Sequence, residues 1–207
     1  MHPKDAAGCD TLQAGLVASV LAAIRGACPG VPVGVTTGQW IGSVNERRQA
    51  LASWTVLPDH ASVNFHEPGA EALARDALVL GLALDAGVWT GTDGLDRLIA
   101  SGLGPACRRI LVEVTEAACT RAQVAALVRR AKLLRRAKLL RRSILLHGED
   151  ASAWDALRWA GEWGVLTRIG LEDTLMLPDG SPAPDNGALV RYALQILAQG
   201  CDAGPEI

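Results

Sequence analysis

The sequence predicts an α/β protein, and it favours a (β/α)8 TIM barrel over an open, doubly wound sheet. Apolar residues make up 49% of the 207 residues, which is enough to bury a sizeable core. Short β-rich runs alternate with amphipathic stretches, as parallel sheets covered by helices require. Polar residues follow almost every such run. A barrel gathers all its strand ends at one mouth, whereas an open sheet uses mainly one crevice.

An opening helix and six strand–helix units are predicted in order. The opening helix covers 11–28, where apolar residues recur at helical spacing until Pro29-Gly30. The strands are runs rich in apolar and β-branched residues at 31–35, 61–65, 81–86, 109–114, 143–147 and 166–171. The helices that follow them are predicted at 45–53, 69–79, 95–101, 120–142, 152–163 and 188–198.

The spacing of the units indicates a chain shorter than a full barrel. The predicted strands begin about 27 residues apart, so eight units need about 216 residues, and typical barrels have about 250. We therefore predict a single domain over residues 1–207 that forms an incomplete barrel, one or two units short. An open sheet remains the alternative.

Composition and charge exclude several classes of protein. With a net charge of −2, a surface that coats nucleic acid is not the default expectation. Neither G-x-G-x-x-G after the first strand nor G-x-x-x-x-G-K-[ST] is present, so nucleotide binding by those loops is unsupported. No apolar run reaches the roughly 18 residues of a membrane span, and the polar opening residues predict no signal peptide. Five scattered cysteines predict a reduced, cytoplasmic protein.

Residues 129–142 form a tandem six-residue repeat, RRAKLLRRAKLLRR, with eight positive charges. A basic helix of this kind could bind nucleic acid or a membrane surface. A six-residue period, however, rotates successive Leu-Leu pairs by about 120°, so no single apolar stripe results. We interpret the repeat as a small duplication that lengthens an outer helix, and we expect neither a nucleic-acid nor a membrane partner.

The strongest local signal is TRIGLEDT at 167–174. In a strand, alternation places Arg168, Gly170 and Glu172 on one face, which in a barrel can be the interior. Buried charges need partners or a metal, so Glu172 is a candidate ligand for a divalent ion and Arg168 could neutralise an anionic substrate. Asp173 at the rim is a candidate general base. An Arg–Glu pair that only closes the barrel is the alternative.

Other polar groups follow the remaining predicted strands. Thr36 and Thr37 offer hydroxyls suited to a carboxylate or carbonyl oxygen, although ordinary turn chemistry explains them equally well. For Glu149 and Asp150, which follow His147, a role in capping the next helix is the alternative. The polar residues at the remaining strand ends are Asn64, His66, Glu67, Asp85, Glu113, His147, Glu149 and Asp150.

Several long runs resemble the β-keto acid cleavage enzymes, the family of the 3-keto-5-aminohexanoate cleavage enzyme of lysine fermentation. These runs are HPKDAAGCDTL, VPVGVTTGQWI, PDHASVNFHEPG, LLHGEDASAW and TRIGLEDTLMLPDGSPAPDN, and the resemblance extends from residue 2 to about 197. It implies a (β/α)8 barrel with a divalent metal, usually zinc. Such enzymes cleave a β-keto acid with acetyl-CoA in a retro-Claisen-type reaction that yields acetoacetate and a new acyl-CoA.

The resemblance also implies roles for particular residues. Glu172 matches the family's metal-binding glutamate, and His2 is similar to the second histidine of its H-x-H metal motif. Arg168 matches the arginine that helps to activate the substrate, and Asp173 matches the general base. Side chains that contact the substrate are expected at Thr36, Ser62, Asn64 and Asp85.

Measured against this family, the first strand, the first helix and most of the second strand are expected to precede Met1, together with the first histidine of H-x-H. We therefore expect an N-terminally truncated member whose one-histidine site binds zinc weakly. The alternative is a catalytically impaired remnant with no turnover. A barrel enzyme acting on phosphorylated substrates ranks last, because the HGED and LEDT loops are acidic. Family members usually form tetramers, so a homo-oligomer is expected.

Overall fold

Strands alternate with helices in a computed structural model that describes residues 1–115, 119–135 and 144–200. In chain order the elements are α1 (Ala14–Ala27), β1 (Gly34–Thr36), α2 (Val44–Ala52), β2 (His60–Asn64), α3 (Ala70–Val79), β3 (Ala83–Trp89), α4 (Gly94–Ser101), β4 (Arg109–Val114), α5 (Arg121–Arg135), β5 (Ile144–Gly148), α6 (Ala153–Glu162) and α7 (Asn186–Gly200).

The predicted α/β alternation is confirmed. The sheet has five strands in the order β1-β2-β3-β4-β5, and the pairs β1–β2, β2–β3 and β4–β5 are parallel. This topology is compatible with part of a (β/α)8 barrel, whose closure stays a prediction. The chain divides into two units, residues 1–87 with 96–108 and residues 88–95 with 109–207, so that β3 contributes to both.

The core of the first unit follows from the periodicities of its elements. Helix α3 buries Leu73 and Ala77 on one face, one helical turn apart. Strand β2 alternates buried and half-buried residues, with Ala61 and Val63 buried. Gly69 begins α3 with a φ of +75°, and a Cβ there would lie 2.5 Å from a methyl carbon of Val44. Glycine is therefore required where α3 meets α2.

A buried ion pair joins the ends of β1 and β2 in the first unit. The side chains of Arg47 and Glu67 are only 3% and 1% exposed, and Arg47 Nη1 lies 2.6 Å from Glu67 Oε2. The same Nη1 donates to the carbonyl of Thr37 at 2.7 Å, and Asn64 donates to Glu67 Oε1 at 2.9 Å. Because each charge is hydrogen-bonded as well as paired, the pair fixes the chain that leaves both strands.

The second unit is built on the β4–β5 pair. Buried apolar residues of both strands, such as Val112 and Leu146, lie opposite each other in register. A further core forms between α6 and α7, where Leu157 and Leu189 are fully buried. Trp154 packs in this core and donates its indole N–H to the carbonyl of Met176 at 2.9 Å.

The strand predicted at 166–171 is wrong. Leu166 makes one parallel bridge to Leu145, and no strand follows it among the residues that the structure describes. Instead, the backbone N–H groups of Asp173 and Thr174 both donate to the carbonyl of Gly170, which closes a turn. A run with apolar and β-branched residues predicted a strand, but the carbonyl of Gly170 accepts the hydrogen bonds of the turn instead of those of a ladder.

Strands β1 and β3 begin later than predicted, and β2 and β5 are each shifted by one residue. Strand β1 begins at Gly34 rather than residue 31, because Val33 donates its N–H to the side chain of Asp59 at 2.7 Å. Strand β3 begins at Ala83 rather than residue 81, because Leu82 donates its N–H to Ala77 and so ends α3. Residues 136–142 of the basic repeat lie outside the described residues.

Replacing one member of the buried ion pair should destabilise the first unit strongly. Glu67→Gln keeps the shape but leaves the Arg47 charge uncompensated, so we expect the free energy of unfolding to fall by about 3–5 kcal/mol in urea denaturation. The matched control is Glu71→Gln, which breaks the more exposed Glu71–Arg97 pair. It should cost at most about 1 kcal/mol. Equal losses for the two variants would contradict this account of the pair.

Candidate functional site

Two polar side chains of the second unit lie side by side because of strand register. Glu113 of β4 is the direct partner of His147 of β5 in the parallel pairing. Glu113 Oε2 lies 3.6 Å from Nε2 of His147, whose side chain is only 1% exposed. Partner residues in a parallel sheet point to the same face, so the register itself brings this carboxyl group to the imidazole.

A turn after the Leu166 bridge brings two more polar residues to the same place. Asp173, with its side chain 3% exposed, places Oδ1 3.3 Å from Nδ1 of His147 and 3.0 Å from Nε of Arg168. The carbonyl of Asp173 accepts the N–H of Asp150 at 2.7 Å. Asp150 has a φ of +47°, a conformation that aspartate tolerates better than most residues. We call Glu113, His147, Arg168 and Asp173 the Asp173 cluster.

The members of the Asp173 cluster differ in their affinity for protons. Burial first, and then the adjacent carboxylate of Glu149, raise the pKa of Glu113 from 4.5 to about 8. Burial lowers the pKa of His147, so its imidazole is held neutral. Partial burial lowers the pKa of Arg168, but the charges of Asp173 and Glu172 outweigh it and raise that pKa overall.

This arrangement suits proton transfer. A protonated carboxyl group, a neutral imidazole and a carboxylate stand in a row, and a guanidinium compensates the negative end. Groups of different proton affinity within hydrogen-bonding reach are what general acid–base catalysis uses. The side chain of Arg168 is 38% exposed, so the positive charge of the cluster is accessible to an anion.

Glu172 is placed differently from its neighbour Asp173. Its side chain is 55% exposed, and its Oε1 lies 3.4 Å from Nη2 of Arg168. The predicted common strand face for Arg168, Gly170 and Glu172 is wrong, because these residues belong to the turn and its approach. The turn directs Asp173 to the interior and Glu172 to solvent. The roles predicted for Glu172 as a ligand and for Asp173 as a base stay predictions.

In the first unit, His2 is held by an acidic residue and an indole. Its Nδ1 lies 3.1 Å from Oδ2 of Asp10, and its ring stacks on Trp40 with the centroids 6.2 Å apart. Asp10 also accepts from Trp40 Nε1 at 2.7 Å and from Lys4. Burial raises the pKa of Asp10, but the hydrogen bonds from Lys4, His2 and Trp40 outweigh it and lower that pKa to about 2.

Three predicted substrate-binding residues belong to β1 and β2: Thr36 and Asn64 end these strands, and Ser62 is the third of the five residues of β2. Thr36 and Ser62 are register partners, and the neighbouring Thr37 hydroxyl donates to the carbonyl of Ser62 at 2.7 Å. Asn64 ends β2 and donates its amide to Glu67. The structure thus brings Thr36, Ser62 and Asn64 to one region of the first unit. Their predicted contact with a substrate stays a prediction.

Asp85 does not lie at the end of a strand, as predicted, but is the third residue of the seven in β3. It is buried and lies 3.1 Å from Nη1 of Arg108 and 3.5 Å from Nε2 of His60. His60 is the first residue of β2, and Arg108 immediately precedes β4. Asp85 therefore compensates charge near the start of the strands, which gives it a structural task apart from the expected contact with substrate.

The described residues do not fit the expected zinc site. Within 1–115, 119–135 and 144–200, no group of three or more His, Cys, Asp or Glu side chains could hold a metal ion. A catalytic zinc site takes three protein ligands and one open position. His2 and Glu172 are the two ligands that the resemblance implies, which is fewer than the three that such a site takes.

Glu113 and His147 were not among the residues to which the sequence assigned a role in the site. Both were visible as polar residues at predicted strand ends, but nothing local distinguished them from turn or capping residues. The signal that could have found them is the register of β4 and β5, because it requires a polar pair inside two otherwise apolar strands. A buried polar pair of this kind needs a partner or a function.

A buried carboxylate beside an accessible arginine, next to a parallel sheet, is typical of enzymes that move protons on anionic substrates. The sequence model of the β-keto acid cleavage enzyme family matches residues 91–201, just over half of the 207 residues, and that segment contains the whole Asp173 cluster. The chain belongs to the β-keto acid cleavage enzyme family, and this membership indicates an enzyme of that type.

Two further findings accompany the family match. A comparison with curated proteins found no match. None of the helices in the described part of the chain combines the length and the hydropathy that crossing a membrane requires.

The raised pKa of Glu113 can be measured directly. In carbon-detected NMR of the side-chain carboxyl groups, we expect one glutamate to titrate near pH 8 and to disappear in Glu113→Gln. In Glu149→Gln that pKa should fall towards 4.5, because a neighbouring negative charge is removed. Glu71→Gln serves as the control and should leave the signal unchanged. Titration of every glutamate in the ordinary range would contradict the assignment.

The same shift predicts how stability depends on pH. The folded protein holds the Glu113 proton more tightly than the unfolded chain, so this group stabilises the fold fully below pH 4.5. Its contribution is lost as the pH rises from 4.5 towards about 8. The free energy of unfolding should therefore decline less over that interval in Glu113→Gln than in the unaltered protein.

Proposed function

We propose that this protein cleaves a β-keto acid with acetyl-CoA in a retro-Claisen-type reaction, releasing acetoacetate and a new acyl-CoA. Membership of the family supports the reaction class. The observation that carries the proposal is the pairing of Arg168 with the buried Asp173 inside the matched segment. The resemblance supplies the finer statement of co-substrate and products, with 3-keto-5-aminohexanoate as the reference substrate.

The contacts of Arg168 suit an anionic substrate. Nε and Nη2 both lie 3.0 Å from Oδ1 of Asp173, so the guanidinium is anchored by its inner edge. The side chain is partly exposed and can meet the carboxylate of a β-keto acid or the enolate oxygen that forms when a carbon–carbon bond breaks. Arginine thereby opposes the negative charge that develops in the reaction.

Asp173 is proposed as the base of the reaction. Its carboxylate is paired with Arg168 and removed from bulk water, so a proton taken from a bound substrate is not exchanged freely with solvent. Thr36, Ser62 and Asn64 are proposed to contact the substrate. Glu172 and His2 are proposed as ligands if a divalent metal, such as zinc, takes part. Because the described residues do not complete a three-ligand site, turnover is measured both with and without added zinc.

The alternative is a family member that keeps the fold but has no turnover. The specific observation in its favour is that the described residues provide no three-ligand metal site. The two possibilities differ in a single measurement, the formation of acetoacetate by the purified protein. The assay is run with and without added zinc on a panel that contains 3-keto-5-aminohexanoate and β-keto acids with uncharged tails.

Removing the proposed base should abolish most of the activity. Asp173→Asn keeps the shape but cannot accept a proton, so we expect kcat for acetoacetate formation to fall by about 100-fold to 10,000-fold. Arg168→Lys keeps the charge but loses the two-nitrogen contact with Asp173, and it should also reduce kcat. The control is Asp179→Asn, an exposed aspartate that binds only its own loop through Ser181, which should leave kcat unchanged.

Two results would count against the proposal. Full activity of Asp173→Asn would show that Asp173 is not the base of the reaction. An unaltered protein that forms no acetoacetate from any substrate, with or without zinc, would support the impaired alternative.

A further inference from the structure

His147 occupies an unusual position for a buried histidine. Its ring is almost fully enclosed, and a carboxyl group stands at each nitrogen, Asp173 at 3.3 Å from Nδ1 and Glu113 at 3.6 Å from Nε2. Neither nitrogen meets the geometry of a full hydrogen bond. Buried polar atoms that lack a good hydrogen bond are costly, and this cost is a reason to look for a task beyond packing.

The contacts of Asp173 show what that task can be. Arg168 Nε, Arg168 Nη2 and His147 Nδ1 all approach one oxygen, Oδ1, at 3.0, 3.0 and 3.3 Å. The three donor positions therefore orient the carboxylate through Oδ1, and Oδ2 becomes the oxygen that can accept a proton from substrate. A base that is held in one orientation supports a faster reaction than the same group free to rotate, because misplacement by about 1 Å can lower the rate by about 100-fold.

We propose that His147 is a positioning residue that holds Asp173 in its reactive orientation by donating Nδ1–H to Oδ1, while its Nε2 faces Glu113. The inference rests on the proposed function for the role of Asp173 as the base. It adds His147 to the residues on which the reaction depends. His147 itself contacts neither substrate nor reacting atoms.

The alternation of donors and acceptors supports this assignment. A neutral imidazole carries one N–H, so one nitrogen donates and the other accepts. Oδ1 of Asp173 accepts from the guanidinium of Arg168, and a carboxylate can only accept. Nε2 faces Glu113 at 3.6 Å, and the side-chain hydrogen bond that helps to raise the pKa of Glu113 joins it to Glu149. The reverse tautomer would face Asp173 with a lone pair.

Two isosteric variants separate positioning from packing. The amide N–H of His147→Asn can take the place of Nδ1–H, whereas that of His147→Gln reaches the place of Nε2. We expect kcat of the Asn variant to stay within a few-fold of the unaltered protein. The Gln variant should lose about 10-fold to 100-fold in kcat with KM unchanged. Thermal unfolding of both variants checks that each is folded.

A histidine that serves only packing gives a different pattern. Both variants would then lose stability and activity together, with kcat and KM changing alike, and that result would overturn the proposal. Equal kcat for the Gln variant and the unaltered protein would overturn it as well.

A measurement without turnover tests the same contact. Nitrogen-15 NMR of the four histidines, with His147 assigned by its loss in His147→Gln, should show the Nδ1–H tautomer. Its shift should change in Asp173→Asn and not in Asp179→Asn. The Nε2–H tautomer, or no response to Asp173→Asn, would overturn the inference. If the tautomer is as expected but no acetoacetate forms, the contact stands and the proposed function fails.

Discussion

An ionisable side chain withdrawn from water must meet an opposite charge or become neutral, and this constraint organises both units of the protein. In the first unit, Arg47 and Glu67 satisfy it as a hydrogen-bonded ion pair. In the second, Arg168 and Asp173 form such a pair, while burial disfavours the charged forms of Glu113 and His147. The second solution differs because it leaves neighbouring groups in different protonation states, which is the starting condition for proton transfer.

Strand register is how the backbone meets that constraint. Pairing β4 with β5 is enough to place Glu113 and His147 together, because side chains of partner residues share a face of the sheet. The turn that contains Asp173 is then held from two sides, by its own hydrogen bonds to Gly170 and by the N–H of Asp150. Backbone hydrogen bonds thus fix the positions from which the side chains of the Asp173 cluster meet.

Periodicity was sufficient to predict the helices and most of the strands, because each depends on residues close in sequence. The strand β4 has its predicted bounds, and α1 lies within its predicted range. The prediction at 166–171 was wrong because the turn there is also held by Asn186, whose side chain accepts the N–H of Leu171 at 3.0 Å from 15 positions away. Arg168 and Asp173 were predicted as site residues, whereas the contribution of His147 depends on a register that no local pattern reveals.

The side-by-side placement of Glu113 and His147 also has a consequence for the evolution of this protein. If drift replaced His147 with an apolar residue, Glu113 would remain buried beside a group that cannot hydrogen-bond to it, and the first substitution would be penalised. An apolar replacement of both positions could be tolerated by the fold. The pair should therefore be inherited or lost as a unit, and lineages that have lost it record where selection for the chemistry was relaxed.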